Sequence, residues 1–184
     1  MKFMHLHFRN SFKPPFSENY SIAYFGMGCF WGAEKVFWNT KGVHTTAVGY
    51  AGGDHPNPNY ELVCTGTTNH AEVVLVVYDS EEILFKNLLN TFFLSHDPTQ
   101  VNRQGNDIGT QYRSIILLEK DNEIIQANQI LNSNQETFTK NKLGLISTEI
   151  KQIKDFFYAE DYHQQYLIKN PDGYCNLKKI NIDL

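Results

Sequence analysis

The chain has 184 residues, 41% of them hydrophobic and 20% charged, with a formal net charge of −4. That length fits one domain burying about 70% of its unfolded surface, and the acidic balance gives no electrostatic basis for binding nucleic acid or an anionic membrane. Three scattered cysteines are too few for a disulfide-scaffolded secreted domain, no run is long enough to span a bilayer, and His5, His7, Arg9 and Asn10 interrupt the apolar core of any signal peptide. A single cytoplasmic domain over 1–184 is expected.

Residues 1–20 read as an extended arm on the domain surface, because Pro14-Pro15 prevents regular helix. His5 and His7 on that arm have no third ligand nearby and are expected to be solvated. Ser21 to Phe25 alternates and is rich in β-formers, predicting a strand that ends at Gly26 and Gly28. Cys29 follows at the start of a helix carrying Trp31, Ala33, Val36, Phe37 and Trp38, which stops near Lys41-Gly42. Free backbone N–H groups and the positive end of the helix dipole favour a thiolate there, so a lowered cysteine pKa and a nucleophile are expected. The alternative is a small buried hydrophobe packing the strand-to-helix junction.

Val43 to Tyr50 predicts a strand, and Ala51 to Pro58 a loop dense in turn formers that delivers Tyr60. Cys64 has no base or cation placed beside it and is expected to be a packed small residue. Ala71 to Tyr78 is the clearest strand, and its β-branched run suits the centre of a sheet. Glu72 in that strand must be paired or keep its proton, since desolvation disfavours a buried carboxylate. Either it is a proton source, or it is a strand-end glutamate wetted by solvent. Asp79 to Glu82 supplies a cap for a helix with Ile83, Leu84, Leu88, Leu89, Phe92 and Phe93 on its apolar face. Ser95 to Thr110, with Pro98, Gly105, Asp107 and Gly109, reads as a long functional loop.

Ser114 to Leu118 predicts a buried strand, Asp121 to Lys142 a polar helix, and Ser147 to Phe157 one strand with an irregular middle. Ala159 to Leu167 predicts a short helix carrying His163, halted by Asn170-Pro171. Residues 170–184 form an irregular, mobile tail that contains Cys175.

Gly28-Cys29-Phe30-Trp31-Gly32, Gly49-Tyr50-Ala51-Gly52-Gly53, Asn57-Pro58-Asn59-Tyr60, His70-Ala71-Glu72-Val73, His96-Asp97-Pro98 and Gln104-Gly105-Asn106-Asp107-Ile108-Gly109-Thr110-Gln111-Tyr112-Arg113-Ser114 together resemble the A-type peptide methionine sulfoxide reductases, in the family's order from Tyr24 to Cys175. The resemblance implies a two-layer α+β sandwich with a mixed β-sheet and a ferredoxin-like core. It also implies reduction of methionine-S-sulfoxide, peptide-bound or free, by attack of Cys29 on the sulfoxide sulfur. Glu72, Tyr60 and Tyr112 would donate to the oxygen and Asp107 would order the site. Phe30 and Trp31 would hold the substrate methyl group, with His163 on the substrate side. Cys29 would become a sulfenic acid, condense with Cys175 to a disulfide and be recycled by thioredoxin, with no metal or organic cofactor. No thiol follows Cys175 in residues 176–184, so no relay to a further C-terminal cysteine is expected. A monomer is expected. Two other readings compete: a cysteine hydrolase using His163 or His70 as base, and a non-catalytic module that holds a methionine side chain at Phe30 and Trp31.

Overall fold

The computed structural model describes residues 3–184. Its strands and helices follow as β1 (Tyr20–Met27), α1 (Phe30–Trp38), β2 (Val43–Ala51), α2 (Tyr60–Cys64), β3 (Ala71–Asp79) and α3 (Phe85–Leu94), then β4 (Arg103–Gln104), β5 (Asp107–Ile108) and β6 (Ser114–Leu118). The chain continues through α4 (Asp121–Lys140), β7 (Glu149–Gln152), β8 (Phe156–Tyr158) and α5 (Tyr166–Lys169). Six strands pair in the order β7-β6-β1-β3-β2-β8, and β4 with β5 makes a small hairpin. The β6–β7 pair is parallel and the other ladders are antiparallel, so the main sheet is mixed.

The β-branched run predicted to be central is so: β3 lies between β1 and β2, and Ala71 through Tyr78 are all buried. Period-two alternation divides them. Val74, Val76 and Tyr78 pack with Phe37, Leu88 and Phe92 of α1 and α3, whereas Ala71, Val73, Leu75 and Val77 face the opposite side with Ile115 and Leu117. Glu72 shares the parity of Val74, which directs its side chain toward α1. The opposite face is covered by Phe12 and Phe16 from the N-terminal segment and by Phe156 and Tyr158. The segment is therefore integral to the core, and His5, expected in solvent, is fully buried with Nε2 2.9 Å from Thr46 Oγ1.

Several local expectations are corrected by packing. The helix foreseen from Asp79 begins at Phe85. Asp79 instead closes a turn by accepting the Glu81 N–H at 2.8 Å, and Leu84, assigned to the apolar face, is 67% exposed. The loop before Thr110 contains the β4–β5 hairpin. The single strand foreseen over Ser147–Phe157 is two strands on opposite edges of the sheet, β7 beside β6 and β8 beside β2, with Ile153 and Phe156 packed on the sheet face between them. His163 lies in a turn before α5 rather than within a helix. Beyond Lys169 the chain has no helix or strand, but it is packed. Leu177 meets the core, Asn176 Nδ2 donates to the Gln104 carbonyl at 2.9 Å, and the Ile180 N–H donates to the Leu94 carbonyl at 2.8 Å.

Candidate active site

Gly28, with φ of +93°, turns the end of β1 into α1, and a Cβ there would lie 2.6 Å from the Gln104 Cβ. Cys29 is consequently the N-cap of α1, as foreseen. No cap hydrogen bond to its sulfur forms, but the N–H groups of Trp31 and Gly32 at the helix start favour the thiolate. They do not prevail. Burial first, and the Glu72 carboxyl second, push the thiol well above its ordinary range, so the lowered pKa expected from helix position alone is corrected.

Glu72 accepts the Phe30 N–H at 3.0 Å through Oε2. Burial outweighs that bond and, with Asp107 adding a smaller push, raises the carboxyl to about 8. The acid is thus protonated at neutral pH, the first of the two states weighed from sequence. In that form it does not oppose a thiolate on Cys29 by charge.

Cys29, Glu72, Tyr60, Tyr112 and Asp107 surround one cavity of about 160 Å³. Phe30 and Trp31 form its apolar wall, and Tyr174 closes it. Tyr60 arrives as the first residue of α2, a short helix capped by Asn59 Oδ1 accepting the Leu62 N–H, rather than within a loop. Tyr112 ends a single 3₁₀ turn, Thr110–Tyr112. Both phenols are raised, chiefly by burial, and remain protonated donors. Asp107 on β5 accepts the Tyr174 hydroxyl at 3.1 Å.

His163 and Cys175 stand outside this cavity. His163 Nδ1 accepts the Trp31 indole N–H at 3.0 Å, and burial lowers the ring to about 4, so it is a neutral group behind the wall. Cys175 lies over the first turn of α1. A Cβ on Gly32 would approach its Sγ to 3.0 Å, so this glycine, one helical turn from Cys29, makes room for that thiol. Cys175 borders a separate groove of about 370 Å³ that also includes Lys35, Thr91 and Lys179. Cys29, Cys64 and Cys175 are all free thiols, and Cys64, foreseen as packed, is exposed on α2 against the Tyr60 hydroxyl.

The hydrolase arrangement is not formed. His70 sits with Nδ1 accepting the Gly53 N–H and Nε2 2.8 Å from the His55 carbonyl, and neither His70 nor His163 lines the cavity. Among the described residues no group of three metal-binding side chains converges, and no helix is long and apolar enough to cross a membrane.

The family model described as peptide methionine sulfoxide reductase matches residues 21–183. The chain belongs to that family. The reductase named MsrA from Brucella anthropi is 53% identical over 174 residues, which are 94% of this chain and 80% of that protein. The structure of methionine sulfoxide reductase A of Corynebacterium diphtheriae superimposes with a TM-score of 0.87 at 44% identity, covering 94% of this chain and 84% of that one. Mxr1 of Saccharomyces cerevisiae in reduced form gives 0.81 at 37% identity, over 89% of this chain and 92% of its own. The same yeast protein in complex with Trx2 gives 0.62 at 22% identity over 91% and 95% of the chains, a likeness of fold alone.

For a reductase of this family, sequence reasoning missed three supports of the site. Tyr166 stacks on Trp31 with ring centroids 3.8 Å apart. Tyr174 joins the tail to Asp107. Glu160, foreseen only as part of a helix, accepts both the Tyr60 N–H and the Tyr50 hydroxyl. Hydroxyls and carboxylates in a polar stretch carry no local sign of long-range partners, so no periodicity could have found them.

Proposed function

We propose that this protein reduces methionine-S-sulfoxide, in peptides or free, to methionine. The observation that carries the reading is the convergence of the Cys29 thiol, a protonated Glu72 and the phenols of Tyr60 and Tyr112 on one small cavity with an aromatic wall.

The sulfoxide oxygen takes hydrogen bonds from Glu72 and the two phenols, while its methyl group packs against Phe30 and Trp31. Cys29 Sγ attacks the sulfoxide sulfur. The Glu72 proton passes to the oxygen, and the carboxylate so formed takes the Cys29 proton, so a thiol raised by burial needs no prior ionisation. The hydroxyl then passes to Cys29 Sγ as an Sγ–O bond forms and both the S–O bond and the new bond between the two sulfurs break, so that methionine leaves and Cys29 is a sulfenic acid. Cys175 attacks that sulfur, releasing water and forming a Cys29–Cys175 disulfide. A thioredoxin dithiol reduces the disulfide and is itself oxidised. The capacity of yeast Mxr1 to form a complex with Trx2 supports that partner.

The tail 170–184, without helix or strand, is the part that moves to bring Cys175 to Cys29. Asp107 orders the site, and His163 acts on substrate through Trp31. The order β6-β1-β3-β2, with α1 and α3 as crossovers, supports describing the core as ferredoxin-like. Three scattered cysteines suit the reducing cytoplasm, and the protein acts there as a monomer.

Turnover of a methionine sulfoxide peptide with dithiothreitol tests the reading. Methionine is expected from the unmutated protein and none from Cys29→Ser. No product from the unmutated protein, or full turnover by the variant, overturns it.

A further inference from the structure

We propose that Glu160 is a positioning residue for sulfoxide reduction, one carboxylate that fixes the Tyr60 phenol relative to Glu72. Its two oxygens have separate tasks. Oε1 accepts the Tyr60 N–H at 2.9 Å, at the first residue of α2. Oε2 accepts the Tyr50 hydroxyl at 2.8 Å, and Tyr50 is the residue paired across the β2–β3 ladder with Glu72.

The backbone carrying one oxygen donor is thereby tied to the strand beside the other. The third contact is through His163. Its ring lies 4.6 Å from that of Tyr60, centroid to centroid, and its Nε2 lies 3.9 Å from Glu160 Oε2. Because Nδ1 accepts from Trp31, the proton of the neutral ring is on Nε2, toward the carboxylate. Nε2 has no hydrogen-bond partner of its own, so the charge on Glu160 is the group that it faces. Glu160 does not line the cavity. It acts only through groups that do.

This inference rests on the proposed sulfoxide chemistry, and its test separates the two. The rate of the first turnover, one methionine per protein without reductant, is measured for Glu160→Ala, Glu160→Gln, Tyr60→Phe and the double variant Glu160→Ala/Tyr60→Phe. Glu160→Ala is expected to slow the step by about 10- to 100-fold, the scale of an ångström of misplacement. Glu160→Gln keeps an acceptor for the Tyr60 N–H and an amide that donates to Tyr50, so it is expected to recover most of the rate.

In the Tyr60→Phe background, adding Glu160→Ala is expected to cost no more than about twofold, since the phenol that it positions is already gone. An undiminished cost in that background, or Glu160→Gln as slow as Glu160→Ala, overturns the proposal. If Glu160→Ala does not fold, Tyr50→Phe takes its place in the cycle with the same criterion, because it removes one of the two restraints. Absence of turnover in the unmutated protein overturns the sulfoxide reading instead.

Discussion

The Glu72 carboxyl is bonded to the backbone N–H of Phe30, the residue directly after Cys29, at 3.0 Å. An acid from the central strand therefore sits against the helix end that holds the nucleophile. The two groups share one buried space, burial raises the proton affinity of both, and neither is charged at neutral pH.

That pairing sets a pH dependence. Glu72 is the acid only while protonated, and its pKa is about 8, so the first-turnover rate should fall as pH rises through 8. Glu72→Gln should lose this alkaline limb and run about 10²–10⁴-fold slower, the usual worth of a general acid. Single-turnover rates from pH 6 to 10 measure both. An unchanged profile in the variant would make Glu72 structural only.

The resting thiol should be sluggish. At pH 7 iodoacetamide is expected to label the exposed Cys175 before Cys29, whose ionisation is opposed chiefly by burial. Above pH 8, where Glu72 would be charged, Glu72→Gln should speed labelling of Cys29 about tenfold for each pKa unit recovered. Peptide mapping by mass spectrometry reads the order, and Cys29 labelled first in the unmutated protein would contradict it.

Gly32→Ala separates the two halves of the cycle. Alanine suits a helix better than glycine by about 1 kcal/mol, so α1 should survive. Its Cβ, however, would approach Cys175 Sγ to 3.0 Å and Leu177 Cγ to 3.1 Å. The first methionine should appear at a near-normal rate, while thioredoxin-driven turnover falls as the tail is displaced. Quantifying product per protein with and without reductant tests this, and equal losses in both steps would count against it.

Stability should peak near pH 6. Glu34 and Glu72 are raised by burial from 4.5 to about 7 and about 8, so their contribution is whole below pH 4.5 and is lost as pH rises through those values. His5 and His96, lowered by burial from 6.5 to about 3 and about 4, contribute fully above pH 6.5 and lose it on acidification. Urea midpoints across pH 4 to 9 should therefore decline on both sides. Glu34→Gln, whose carboxyl accepts from Thr46 and from the side chain and backbone of Gln165, should flatten the decline between pH 6 and 7. A midpoint that keeps rising to pH 8 would refute the assignment.

The order of motifs from Gly28 to Ser114 was enough to identify the family, and the β-branched run of Ala71 to Tyr78 was enough to make β3 central. The glycines flanking Cys29 likewise located the helix start, because turn geometry is a local property. What the tertiary structure decided was everything that depends on distant neighbours. Helix position favoured a Cys29 thiolate, yet desolvation by residues far apart in sequence outweighs two backbone N–H groups. His5 is buried because β2 and α1 supply Thr46 and Glu34 beneath it, and Ser147–Phe157 divides because its ends reach opposite sheet edges. Cys64 is exposed because the short α2 turns it outward, and Glu160 reaches Tyr60 across 100 residues of chain. Periodicity reports which face a residue occupies. Proton affinity and positioning depend on what the folded chain brings to that face.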